Sequence, residues 1–101
     1  MGAEAGKRRR EGVTMTFEGA IIREQNVTFG IVVVKSHVLN SHTQANGLIF
    51  SFQGAMRVAP VVLMAQDSRG IPTYYGRQDI VAFLARIDAR RIPWKRYALA
   101  G

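Results

Sequence analysis

Apolar and polar positions alternate over Thr14–Glu24, with Phe17, Gly19 and Ile21 on one register and Glu18, Ala20 and Ile22 on the other. This alternation predicts a β-strand, because successive side chains of an extended chain point to opposite faces. Gln25-Asn26 supply turn residues, and Val27–Lys35 return as a second arm dense in β-branched residues that fit a pleated surface. Within that arm Ile31–Val34 is apolar at every position, the pattern of a strand covered on both sides.

The period then changes. Ala45, Leu48, Ile49, Phe52 and Met56 recur at helical spacing and mark one face of a helix. Ser41 and Gln44 stand at the spacing of a capping box, and Gly54 is the expected stop. Gly47 weakens this helix by about 1 kcal/mol relative to alanine. Ala59–Gln66 is a second buried-strand pattern, followed by the turn Asp67-Ser68-Arg69-Gly70 and a returning strand, Ile71–Gly76. A second helix opens across Gly76–Asp79, with Ile80, Phe83, Leu84 and Ile87 on one face. Asp79 in its first turn complements the helix dipole. Pro93 prevents continuation, and Trp94–Leu99 is expected as a last edge strand.

The resulting order, ββαββα(β), predicts an α+β fold, a two-layer α/β sandwich with a mixed sheet and two helices mainly on one face. Two helices on one face leave the other uncovered, although Ile31–Val34 and Val61–Ala65 present apolar side chains in both directions. A homo-oligomer, most simply a dimer, is therefore expected to bury the second face.

Composition adds bounds. The 101 residues suit one domain, expected over 13–101, and the absence of cysteine excludes disulfides, cysteine-type zinc sites and a thiol nucleophile. No apolar run is long enough to span a membrane, and no apolar stretch follows the first basic run as a signal peptide requires, so a cytoplasmic protein is expected.

The formal charge of +7 is unevenly placed. Residues 1–12, expected as a disordered arm, carry Lys7, Arg8, Arg9 and Arg10 against two glutamates. Residues 13–85 hold five basic and four acidic side chains, whereas residues 86–101 hold five basic and one acidic. That last stretch interleaves Arg86, Arg90, Arg91, Lys95 and Arg96 with Trp94 and Tyr97. Cations that neutralise phosphates beside aromatics that stack bases point to nucleic acid as the acidic partner. The plainer reading is a solvated helix end, an edge strand protected by its charges, and Trp94 as a core anchor.

Other candidates are weaker. Asp67, Tyr74, Tyr75 and Arg77 gather near a strand end and a helix start, and define the alternative: a protein-interaction or small-ligand module using the sheet face or the second helix N-terminus. The plainer reading makes Asp67 a turn former and Arg77 a solvated residue. His37 and His42 with Asp67 would form an enzyme site only if the three converge. No phosphate-binding glycine loop, nucleophile elbow or metal-ligand spacing is present, so no cofactor or metal is expected and the chain is read as a non-catalytic binding protein.

Overall fold

The computed structural model describes residues 14–24 and 26–100; the arm expected over residues 1–12 lies outside the described residues. Strands β1 (Thr14–Glu24) and β2 (Val27–Val33) form the expected antiparallel hairpin, with Ile22 opposite Phe29 and Glu24 opposite Val27. A 3-10 turn at Ser36–Asn40 leads into α1 (His42–Met56), β3 (Val61–Gln66) and β4 (Pro72–Tyr75). Helix α2 (Gln78–Leu84), a 3-10 turn at Ala89–Arg91 and β5 (Lys95–Ala100) complete the order. The five strands form one mixed sheet in the order β4-β3-β2-β1-β5, in which only β2 and β3 run parallel. The α+β class, the element order and the final edge strand are as expected.

Helix α1 starts where its cap predicts, the Ser41 hydroxyl accepting from the Gln44 backbone N–H at 3.2 Å. It does not stop at Gly54. The last turn carries Met56 into the core, and Arg57 ends the helix in the left-handed region at φ 57°, its N–H donating to the Gln53 carbonyl. Helix α2 is shorter than its apolar pattern. After Leu84 the chain tightens, Arg86 and Ile87 N–H groups donating three residues back to Phe83 and Leu84, yet Ile87 still packs against the same core.

The placement of the helices differs from expectation: they lie on opposite faces of the sheet. One core joins Ala20, Phe29, Ile31, Val62 and Met64 to Ile80 and Leu84 of α2. The other joins Val32, Val61 and Leu63 to Ala45 and Met56 of α1. Adjacent residues of one strand belong to different cores, so each face has its own helix. The cause is the double-sided apolar character of β2 and β3, in which Ile31, Val32, Val62 and Leu63 are all completely buried. Placing both helices on one face would have left half of these side chains in water. The ground for expecting a second copy is thereby removed, since α1 covers within one chain the face a dimer was needed to hide.

Close approach of α1 depends on two glycines. A Cβ on Gly19 would lie 2.8 Å from the Ile31 carbonyl oxygen and 3.4 Å from the Met56 methyl, and one on Gly30 would lie 3.3 Å from the Met56 sulfur. A Cβ on Gly47 or Gly54, by contrast, meets nothing within 4 Å. Alanine at either helical glycine is therefore expected to raise stability by roughly 0.5–1 kcal/mol through helix propensity. Gly19→Ala should lower it by roughly 1–3 kcal/mol through overpacking against backbone. Urea unfolding of the three variants checks the opposite signs; a neutral Gly19→Ala would contradict the close approach.

Candidate binding site

Alternation along a strand decides which charged and aromatic groups can act together. Trp94 and Tyr97 stand three positions apart and belong to opposite faces: Trp94 packs with the α2 core, and Tyr97 with the α1 core. Tyr97 stacks on Phe17 of the neighbouring strand, ring centroids 5.4 Å apart and planes 12° apart. The Lys95 ammonium lies 6.0 Å from the centre of the Tyr97 ring, at the outer reach of a cation–π contact. These two residues thus lie with α1, away from Trp94. The indole N–H of Trp94 donates to the Ala89 carbonyl at 2.9 Å, which fixes the ring.

The α2 side of the sheet carries a hollow of about 350 Å³. Helix α2 is too short to cover this face out to the carboxyl ends of β2 and β3. Val33 and Met64 are therefore left lining the hollow together with Trp94 and Ala89, while Glu18, Gln66 and Arg90 supply polar groups. An adjoining hollow of about 200 Å³ is lined by Thr16, Phe17, Glu18 and Arg96. Glu18 borders both, and Arg96 stands directly opposite it across β1 and β5. The structure thus brings Arg90, Trp94 and Arg96 of the basic carboxy-terminal segment to one side of the sheet. Arg86 and Arg91 are exposed, in the chain that follows α2 and in the second 3-10 turn.

Arg90 is held rather than free. Its Nε and one Nη donate to the two oxygens of Asp88 at 3.1 and 2.9 Å, and the Asp88 carboxylate also accepts from the Arg90 backbone N–H at 2.9 Å. These contacts hold the Asp88 carboxyl down at about 2 and raise the guanidinium. A guanidinium has five N–H donors, so the fork to Asp88 leaves three for another ligand.

The alternative set is divided. Tyr74 turns to the α2 side, where its hydroxyl is buried without a hydrogen-bond partner and burial pushes its pKa up. Tyr75 turns to the other face, donates to Asn46 Oδ1 at 3.0 Å, and packs beside His42 at 5.4 Å between ring centroids. Arg77 is engaged by Asp79 at 2.8 Å, which holds the Asp79 carboxyl below its ordinary value. Asp67 is a turn former: its Oδ1 accepts from the Arg69 and Ile71 N–H groups at 2.8 and 2.9 Å. His37 and His42 are exposed, and no group of three His, Cys, Asp or Glu side chains among the described residues is placed to hold a metal.

Glu18, Val33, Met64 and Gln66 were not among the residues expected at a site. Gln66 carries the only advance signal, because ligands of open sheets gather at strand carboxyl ends and Gln66 ends β3. The chain matches no family model, no curated protein and no solved structure. Among the described residues no helix is long and apolar enough to cross a membrane.

The Asp88–Arg90 pair yields a pH prediction. Because folding lowers the Asp88 pKa, its contribution to stability is present above about pH 4, the ordinary carboxylate value, and is lost as pH falls toward 2. The Asp88 side-chain carbon is expected to titrate near 2 by NMR and to move up toward 3.8 in Arg90→Ala. An ordinary midpoint in the wild-type chain would contradict the pairing.

Proposed function

We propose that this chain is a non-catalytic binding module that engages an acidic partner, nucleic acid, through its basic carboxy-terminal segment. The observation that carries the reading is the convergence of Arg90, Trp94 and Arg96 around adjoining hollows on one side of the sheet. Guanidinium groups bind phosphate through paired donors, and an indole offers a face for a base. The split of the aromatics narrows the contact: Trp94 is its stacking group, while Tyr97 and Lys95 belong to the α1 side. Lys7–Arg10 add phosphate contacts in this reading, as basic arms do, and a cytoplasmic setting suits a chain without cysteine. A second copy is not required, because the binding side is formed within one chain.

The hollow itself favours one further reading, a small anion with an apolar body seated on Val33 and Met64. Chain length separates the two: a strand gains affinity with added nucleotides, a small ligand does not. The helix-two half of the alternative has less support, since Tyr74 and Tyr75 turn to opposite faces and Asp67 is spent on its own turn, which leaves no group gathered beside Arg77.

Trp94 is the only tryptophan and reports directly on its own site. Titration with single-stranded oligonucleotide at low salt is expected to change its fluorescence. Affinity should fall as salt rises, with a slope reduced by about 1 in Arg96→Ala for one lost phosphate contact. No binding of DNA or RNA at low ionic strength would overturn the proposal.

A further inference from the structure

A surface built only to hold phosphates has no use for a carboxylate, which repels them. Glu18 nonetheless lines both hollows, and among the described residues it forms no ion pair with Arg90 or Arg96, the arginines that border them. It shares a strand register with the core residue Ala20, so its carboxylate stands on the α2 side of the sheet, that of Trp94. The hollow therefore combines an apolar floor, an indole fixed by its own hydrogen bond, and an acceptor with two oxygens.

An ionised carboxylate accepts hydrogen bonds and donates none. Its two oxygens are satisfied together by two parallel N–H groups, as in its pairing with the arginine fork. Among the common bases, guanine alone offers two adjacent donors on its Watson–Crick edge, the ring N1–H and the exocyclic amino group. Adenine and cytosine each set one amino group beside a ring acceptor, and uracil sets one N–H between two carbonyls. The hollow, at the lower end of the 300–1,000 Å³ typical of ligand pockets, suits one ring system rather than a larger molecule.

Resting on the nucleic-acid reading above, we infer that the hollow is a guanine-selective subsite in which Glu18 accepts from the base edge and Trp94 packs on its face. Arg96, in the adjoining hollow, then meets the phosphate of that nucleotide. The guanine can belong to a strand or to a free nucleotide, since the contacts are the same.

The test follows Trp94 fluorescence with a short adenosine oligonucleotide carrying one central guanosine, inosine, cytidine or uridine, and in a second arm with the free monophosphates of the same nucleosides. Guanosine is expected to bind about tenfold tighter than cytidine or uridine, the low end for a bidentate base contact. Inosine, which lacks the exocyclic amino group, should fall between. Glu18→Gln should abolish the preference while leaving the affinity for the cytidine and uridine strands equal or higher, because repulsion of phosphate is removed. Tighter binding of guanosine only within the strand assigns the source as nucleic acid, and equal preference for the free monophosphate assigns a nucleotide; both support the subsite. Binding of all strands without guanosine preference, or a preference that survives in Glu18→Gln, overturns the inference and leaves the nucleic-acid reading standing. Absence of binding by every strand and nucleotide overturns both.

Discussion

Burial of the parallel pair β2–β3 on both of its faces is the constraint from which the rest of this structure follows. Ile31 and Val62 face one way, Val32 and Leu63 the other, and all are fully withdrawn from water. Each buried side chain of this size contributes roughly 1.5–3 kcal/mol relative to exposure, so neither face can be left open. One helix per face is the arrangement that satisfies both, and the two helices are unequal. Helix α1, of 15 residues, runs along its face and is seated by Gly19 and Gly30 beneath Met56. Helix α2, of 7 residues, covers only part of the other, and the chain from Ile87 to Trp94 continues the cover, Ala89, Arg90 and Trp94 lining a hollow with Val33, Met64 and Gln66 at the carboxyl ends of the central strands. The candidate site is the hollow beyond the end of the shorter helix, where Ala89, Arg90 and Trp94 stand over Val33 and Met64.

Much of this architecture is legible residue by residue. The alternation in Thr14–Glu24, the unbroken apolar runs of β2 and β3, the helical spacing from Ala45 to Met56 and the Ser41 cap each correspond to an observed element. Periodicity identifies which side of a helix is apolar, but not which face of a sheet receives it, and this is where the expected two-layer arrangement departs from the observed one. Helix ends diverge for a related reason. Gly54 has local stop character, yet tertiary burial of Met56 moves the end to Arg57.

The site was legible only in part. Arg90, Trp94 and Arg96 stand out as basic and aromatic residues in a short stretch, and the strand rule that turns Tyr74 and Tyr75 to opposite sides also separates Trp94 from Tyr97. Glu18 gives no such signal. It is 76 positions from Trp94, and its importance arises from strand pairing that brings β1 beside β5. The same limit applies to charge, because a count of basic residues does not reveal that Asp88 fixes Arg90 or that Asp79 engages Arg77. Net charge is thus a poor guide to which cations are available, and the geometry reduces a basic segment to two arginines placed around one indole.

The measurement that bears most directly on this account is the position of the contact. The single indole N–H of Trp94 gives one isolated resonance, and the methyl group of Met64 reports the floor of the same hollow. On addition of single-stranded oligonucleotide, both are expected to shift together and saturably, while the methyl groups of Leu48 and Ile49 on the opposite side of the sheet stay in place. Shifts confined to the α1 side, with Trp94 and Met64 unmoved, would contradict it.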